Sequence, residues 1–257
     1  MANPLLGGLA TAFSMYSVIP MPRVEWDRAA MQYALCFFPL VGVVCGGAVY
    51  GWMWLCAHFQ LTPMLASAGV VLLPAAVSGG IHLDGLLDTG DALGSHQETE
   101  RKLEILKDAH VGAFGVILCT GYLLLSWALA GQLYADRSLL LLLCLGYVLS
   151  RACSALAIVT FPLAKNTGLV HLFAENAQKA RVRAASLVVI AACFAGMVLV
   201  NPAAGGVMTV LAAGWFAWFR RLCVRQFGGI TGDLAGYSLC VLELLSLAVS
   251  SLLPALI

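Results

Sequence analysis

Long apolar stretches alternate with short polar segments along the whole chain. Seven stretches reach the roughly 17–25 mostly apolar residues that a helix needs to cross a bilayer. They are residues 33–57, 61–81, 113–134, 138–161, 184–200, 203–219 and 237–257. The fifth and sixth are short and meet at a tight Asn201-Pro202 turn. The pattern predicts an all-α fold, a polytopic transmembrane helical bundle, in which residues 1–257 form a single integral-membrane catalytic domain.

The N-terminal segment differs from these seven stretches. Residues 1–20 are apolar, but glycines interrupt them, and Pro4 and Pro20 bound them. We interpret this segment as an additional interfacial or half-inserted helix, with a true span as the alternative. It lacks the basic region with which a secretory signal peptide begins, so we do not expect it to be cleaved.

Composition supports a membrane protein. Hydrophobic residues make up 61% of the chain and charged residues 11%, whereas soluble domains are about 45–50% apolar and about 25% charged. The formal net charge of +1 and the lack of a basic stripe argue against a nucleic-acid partner. The nine cysteines are scattered singly, which predicts small buried side chains and neither disulfides nor a zinc site.

Basic residues are distributed unequally between the two sides of the predicted bundle. Twelve of the 14 Lys and Arg residues fall in the N-terminal segment and in loops 82–112, 162–183 and 220–236, which share one side. The other side holds only Arg137, and Arg151 lies within a stretch. The positive-inside rule therefore places the long loops in the cytoplasm. Eleven of the 13 carboxylates share that side, so we expect the chemistry at the cytoplasmic face.

Three aspartates form the sharpest candidate site. Asp84, Asp88 and Asp91 are spaced by four and then three residues, which puts them on one face of a helix. Such like charges repel one another by a few tenths of a kcal/mol per exposed pair, and a hard divalent cation such as Mg²⁺ relieves the repulsion. A solvated acidic helix end is the alternative. The neighbouring His82 is interpreted as an interfacial histidine.

Two further segments on the same side carry candidate ligands. The glycine-rich segment 228–233, GGITGD, is suited to cradling phosphate oxygens, and its Asp233 is a further candidate metal ligand. Segment 100–115 is either an ordinary charged amphipathic helix or part of the site. Its glycines after His110 allow backbone to approach a ligand closely.

Two charged residues lie within apolar stretches. Arg151 and Glu243 each cost a few kcal/mol or more at such depth unless they are paired or face a wet cavity. A structural brace between them is one interpretation. We favour a polar cavity that opens to the cytoplasm, with Arg151 on phosphate and Glu243 on metal or substrate. Lys165, in the loop 161–170, is a candidate for another phosphate or a bulky headgroup.

The candidate residues together favour phosphoryl or nucleotidyl-alcohol transfer, in which positioning and charge neutralisation carry most of the catalysis. The sequence also resembles the cobalamin synthase family, the adenosylcobinamide-GDP ribazoletransferases. The resemblance rests on four ordered motifs and extends from Ile19 to the last stretch. The motifs are FFPLVG at 37–42, HLDGLLDTGD at 82–91, the segment ending in EILKDAHVGAFG at 104–115, and GGITGD at 228–233, followed by Glu243.

The resemblance implies an Mg²⁺-dependent enzyme of the bacterial inner membrane. It joins adenosylcobinamide-GDP to α-ribazole or its 5′-phosphate and releases GMP. A ribose hydroxyl attacks the phosphorus nearest the corrinoid. Two departures are Ala109-His110, where relatives often have Ser-Arg, and Lys165, where arginine is common. Arginine offers bidentate geometry that lysine lacks.

Matching motifs and charge together give the expected roles. Asp91 is the expected proton acceptor, while Arg151 and Lys107 steady the developing charge. The expected catalytic residues are Asp91, Lys107, Asp108 and Arg151. The expected substrate-binding residues are Gly228, Gly229, Thr231, Lys165 and His110. The expected metal ligands are Asp84, Asp88, Asp91, Asp233 and Glu243.

Two other functions compete with this interpretation. A CDP-alcohol phosphotransferase also uses aspartates at a membrane edge, but Asp84-Gly85 is followed by Leu-Leu-Asp and not by that family's alanine–arginine pair. An ion-coupled transporter would explain Arg151 and Glu243, but transporters place their sites near the midplane, and here the charge is one-sided. Homo-oligomerisation, the lower base and the presence of a 5′-phosphate on the acceptor stay open.

Overall fold

The polypeptide folds into helices that are joined by short connections. The structure, a computed structural model, describes residues 3–22, 28–135, 137–165 and 168–253. Its helices are α1 (Pro4–Tyr16), α2 (Arg28–His58), α3 (Pro63–Ser78), α4 (Ile81–Gly94), α5 (Thr99–Ile105), α6 (Ala113–Ala135), α7 (Leu140–Thr160), α8 (Leu169–Asn176), α9 (Lys179–Val200), α10 (Pro202–Phe227) and α11 (Gly232–Leu252). Within these ranges the only β pairing is a parallel bridge between Leu163 and Ile230.

Six of the helices are long and apolar enough to cross a membrane. They are α2, α6, α7, α9, α10 and α11, and the bent pair α3 and α4 raises the number to seven if it counts as one span. Large apolar side chains such as Ile117, Val188 and Leu199 stay exposed on these helices, as expected for a surface that faces lipid. The predicted all-α polytopic bundle is confirmed.

The predicted stretch 61–81 is interrupted in the structure. Helix α3 ends at Ser78, and α4 begins at Ile81 at an angle of 96° to it. The residues between them, Gly79 and Gly80, have φ angles of +65° and +79°, which glycine adopts without steric cost. The glycine pair thus ends the span and turns the aspartate-bearing helix sideways.

Two other boundaries also differ from the sequence expectation. Helix α10 runs to Phe227, so Arg220, Arg221 and Arg225 lie on its last turns and not in a loop. Helix α11 begins at Gly232, five residues before the predicted stretch, because Thr231 caps it by accepting a hydrogen bond from the Leu234 N–H. Both helices therefore extend toward the predicted site.

The N-terminal helix α1 is short. Its 13 residues span about 20 Å, less than the roughly 30 Å of a bilayer's hydrocarbon core. It buries Ala12 and Tyr16, and an added Cβ at Gly8 would lie 2.8 Å from the Tyr33 Cβ of α2. This geometry fits an interfacial helix that is held against α2, and its length does not fit a span.

Helix α7 lies at the centre of the bundle. In its most apolar window 78% of the residues are buried, and in that of α11 67%, whereas α9 and α10 reach only 22% each. The α7 surface is approached closely by α2, where a Cβ at Gly42 would lie 2.4 Å from the Tyr147 carbonyl oxygen. The small residue at this position thus allows backbone-to-backbone packing.

Substitution of Gly42 provides a test of this packing. Gly42→Ala forces α2 and α7 apart, and we expect a loss of about 1–3 kcal/mol in the free energy of unfolding, as for other overpacked interiors. Gly47→Ala is the matched control, because nothing lies within 4 Å of a Cβ at that position of the same helix. Thermal unfolding in detergent measures both, and equal stability of the two variants would contradict the close approach.

Candidate active site

Helix α4 and the start of α11 touch through their backbones. A Cβ at Gly85 would lie 2.6 Å from the Asp233 carbonyl oxygen, and one at Gly236 would lie 3.3 Å from the His82 Cα. Larger residues at either position would separate the helices. The two glycines therefore bring Asp84 of α4 and Asp233 of α11 to the same place, although the two aspartates are far apart in the sequence.

Four carboxylates gather around this contact. Asp88 lies within electrostatic range of Asp84, Asp233 and Asp91, all of like charge. Among the described residues no three His, Cys, Asp or Glu side chains form a preassembled metal-ligand group. Mg²⁺ does not require one, because it is usually held by one or two carboxylates together with waters and substrate phosphates. The oxygen donors around Asp88 fit that ion's chemistry.

Asp91 has a different environment from the other aspartates. Its two carboxylate oxygens accept hydrogen bonds from the backbone N–H of Gly112 at 2.7 Å and of Gly115 at 2.8 Å. A Cβ at Gly112 would lie 2.3 Å from one of these oxygens, and a Cβ at Gly115 would lie 2.6 Å from the other. Asp91 thus fastens α4 to the beginning of α6. The glycines expected to approach a ligand instead receive a carboxylate of the same chain.

The glycine-rich loop pairs with the segment that carries Lys165. Gly228 ends α10 with a φ of +73°, and a Cβ at Gly229 would lie 2.4 Å from the Leu163 carbonyl carbon. The Ile230 N–H donates to the Pro162 carbonyl at 2.8 Å, and the Ile230 carbonyl accepts from the Ala164 N–H at 3.1 Å. The two glycines therefore shape the loop, and the pairing delivers Lys165 to the site.

Two lysines lie side by side near the carboxylates. The Lys165 ammonium donates to the Leu103 carbonyl at 2.8 Å. Burial, and then the adjacent Lys107, lower the pKa of Lys165 below its ordinary value, while Asp233 and Glu104 raise it. Neighbouring ammonium groups repel one another until an anion binds between them, so the pair suits phosphate oxygens.

A cavity of about 380 Å³ joins these groups. Its polar wall is formed by Asp84, Lys107, Lys165, Thr231 and Asp233. Its aromatic wall, which sequence reasoning did not identify, is formed by Tyr16, Phe38 and Phe173. Phe38 belongs to the FFPLVG motif, and the other two aromatic residues come from the short helices α1 and α8. His82, interpreted from sequence as interfacial, is buried and also lines the cavity.

Arg151 and Glu243 lie apart from this cavity. They form an ion pair through Nη1 and Oε1, with Arg151 only 1% exposed. The same Nη1 also donates to the Tyr147 carbonyl at 2.9 Å. Both residues line a second cavity of about 30 Å³, which neither Asp84 nor Asp233 lines. The geometry therefore matches the brace interpretation and not the favoured one, because each charge is neutralised by the other.

Asp108 and His110 also lie outside the cavity. Asp108 accepts a hydrogen bond from the His110 N–H at 3.0 Å, and its carboxylate lies 2.7 Å from the His110 Nδ1. Their side chains are 57% and 93% exposed. The hydrogen bonds from His110 lower the pKa of Asp108 below its ordinary value. Of the KDAH segment, only Lys107 reaches the cavity.

The fold and the cavity define a polytopic α-helical membrane protein with an acidic and basic site between its helix ends. Comparison with known proteins identifies the family. The description of cobalamin-5-phosphate synthases matches residues 8–251, so the chain belongs to that family, and the resemblance seen in the sequence is confirmed. No solved structure matches the chain.

Similar proteins cover nearly the whole chain. One from Lachnoclostridium phytofermentans is 41% identical over 94% of this chain and 92% of its own length. One from Desulfitobacterium hafniense is 35% identical over 95% and 96%, and one from Pseudomonas savastanoi pv. phaseolicola is 36% identical over 89% of each. All three are named adenosylcobinamide-GDP ribazoletransferase.

Two substitutions distinguish the fastening role of Asp91 from the crowding at Asp88. Asp91→Ala removes two charge-assisted hydrogen bonds, so we expect the free energy of unfolding to fall by about 2 kcal/mol or more. Asp88→Asn removes a like charge, so we expect the unfolding temperature without Mg²⁺ to stay the same or rise. Thermal unfolding in detergent with chelator measures both. An unchanged unfolding temperature for Asp91→Ala would contradict the fastening role.

Proposed function

We propose that this protein is an Mg²⁺-dependent adenosylcobinamide-GDP ribazoletransferase. The names of relatives that cover about nine-tenths of the chain or more support this activity. The observation that carries the proposal is the polar wall, where carboxylates from two helices face two lysines across one cavity. Acids that hold a cation and bases that hold phosphate are the groups that transfer from a diphosphate needs.

The proposed reaction exchanges one phosphoester bond for another. A ribose hydroxyl of α-ribazole, or of its 5′-phosphate, attacks the phosphorus nearest the corrinoid. The new bond joins that phosphorus to the ribose oxygen, the bond between the two phosphates breaks, and GMP leaves with the bonding electrons. The hydroxyl proton passes to a base. Asp91 is a poor base because both of its oxygens already accept amide N–H groups.

We assign the proposed metal to the acidic side of the cavity. Asp84 and Asp233 line the cavity and Asp88 lies beside them, so these three are the proposed Mg²⁺ ligands. When bound, Mg²⁺ neutralises charge on the diphosphate. Lys107 and Lys165 hold the phosphate oxygens from the other side and steady the charge that develops on GMP. Glu243 and Arg151 are left out of the proposed site because they neutralise each other.

The proposed location is the inner membrane of a bacterium, with the cavity at the cytoplasmic face. The support is the distribution of basic residues, twelve of which fall on the side of the long loops. Lys107 and Lys165, which line the cavity, belong to those loops. GDP-activated and nucleoside substrates are cytoplasmic solutes, so a cavity on this side has direct access to both.

Release of GMP tests the proposed function. Protein purified in detergent is incubated with GDP-activated corrinoid, α-ribazole and Mg²⁺, and the products are separated by chromatography. We expect GMP and the joined corrinoid in equal amounts, and neither product when a chelator replaces Mg²⁺. Folded protein that releases no GMP would overturn the proposal, and release that is insensitive to chelator would overturn its metal dependence.

Substitution of the proposed metal ligands should remove turnover. Asp84→Asn and Asp233→Asn each retain size but lose a charge, and we expect kcat to fall by about a hundredfold or more. Glu100→Gln is the control, because that exposed carboxylate lies on α5 and does not line the cavity. Circular dichroism checks that the variants are folded. Near-normal turnover in both aspartate variants would refute the assignment.

The lysine pair should act on binding of the diphosphate substrate. Lys107→Ala removes one ammonium from the polar wall, and we expect the KM for the GDP-activated corrinoid to rise by roughly tenfold, the size of one charge-assisted hydrogen bond. Lys179→Ala is matched in chemistry, but Lys179 is an exposed residue of α9 that does not line the cavity. Steady-state kinetics with the corrinoid varied measures the effect, and equal KM values in the two variants would argue against phosphate contact.

A further inference from the structure

The aromatic wall of the cavity is a built surface. The Tyr16 and Phe38 rings are stacked with centroids 4.1 Å apart, and the Phe173 ring lies 6.1 Å from that of Tyr16. Phe38 and Phe173 are each 1% exposed and Tyr16 is 8% exposed. The three rings come from α1, α2 and α8, so three separate helices contribute to one aromatic surface. A planar apolar ring stacks favourably on such a surface.

The size of the cavity limits what it can enclose. A volume of about 380 Å³ lies near the lower limit of the roughly 300–1,000 Å³ that is usual for small-molecule pockets. A nucleoside fits within this volume. A corrinoid macrocycle that carries a GDP group is several times larger than a nucleoside, so the bulk of that substrate must remain outside.

We propose that this cavity is the binding site of the acceptor nucleoside, with its planar base against Tyr16, Phe38 and Phe173 and its ribose toward Asp84 and Asp233. This inference rests on the proposed function, which supplies the ribazole acceptor. The orientation places the ribose hydroxyl beside the polar wall, where the diphosphate of the corrinoid substrate is held. The corrinoid itself stays at the mouth of the cavity.

The guanine ring of the other substrate is the competing occupant. Guanine carries several hydrogen-bonding groups on its edge, and each of these costs free energy if it is buried without a partner. Around the aromatic wall the cavity is lined by apolar side chains, among them Met15, Ile158 and Val170. An apolar heteroaromatic base such as that of ribazole is therefore the better match.

Kinetics of a Phe173 variant test the inference. Phe173→Leu keeps an apolar side chain but removes a ring, and we expect the KM for α-ribazole to rise by about tenfold, with kcat and the KM for the GDP-activated corrinoid changed by less than about twofold. Tyr16→Phe, which keeps its ring, should have a near-normal KM, whereas Tyr16→Leu should raise it. A larger effect on the corrinoid KM than on the ribazole KM would overturn the proposal.

Phe219→Leu is the matched control. Phe219 is fully buried in another aromatic cluster, 5.8 Å from the Phe161 ring and 6.0 Å from Trp215, and it does not line the cavity. Its substitution removes the same number of atoms from a packed aromatic group. We expect both KM values to stay near those of the unsubstituted protein, which separates a binding role from a general loss of packing.

Equilibrium dialysis of α-ribazole, without corrinoid and without Mg²⁺, separates this inference from the proposed function. Binding that Phe173→Leu weakens and that added GMP does not displace supports the nucleoside site, even if the protein releases no GMP in turnover. Competition by GMP at the same site, or binding that the substitution leaves unchanged, refutes the nucleoside site. Mg²⁺-dependent GMP release would then still support the proposed function.

Discussion

The close backbone contact between α4 and α11 is the constraint on which the candidate site depends. Gly85 lies against the Asp233 carbonyl, and this contact forces aspartates of like charge together. Helix ends offset part of the repulsion. Asp84 lies in the first turn of α4 and Asp233 in the first turn of α11, where the helix dipole favours negative charge. Asp91 caps a third helix start, that of α6. Three helix N-termini therefore meet at the acidic cluster, and each is associated with a carboxylate.

The break between α3 and α4 makes this arrangement possible within a membrane protein. A straight helix through residues 63–94 would carry its aspartates along the direction of the span. The glycine pair at 79 and 80 instead turns α4 by 96°, so its aspartate face meets the start of α11. The bridge between Leu163 and Ile230 then adds Lys165 from a third segment. Irregular backbone is thus found where it is enclosed by protein and lines a cavity, as is expected at membrane depth.

Periodicity in the sequence was sufficient for the fold and for part of the site. The apolar stretches predict the spanning helices, and the spacing of Asp84, Asp88 and Asp91 predicts that they share α4. Spacing cannot reveal that Asp91 accepts hydrogen bonds from Gly112 and Gly115, because that contact depends on how α6 packs on α4. The aromatic wall was missed for the same reason, since its rings come from three helices. The glycines at 79 and 80 were visible, but their positive φ angles follow from the tertiary packing.

The pairing of Arg151 with Glu243 shows how a charge can serve a site that it does not touch. Either residue alone at this depth would carry a large desolvation cost, and their ion pair offsets it while joining α7 to α11. Such a pair contributes little net stability relative to apolar packing, but removal of one partner leaves a buried charge. The pair therefore favours one register of α11 against α7. Because Asp233 begins α11, that register also determines where this carboxylate stands relative to Asp84.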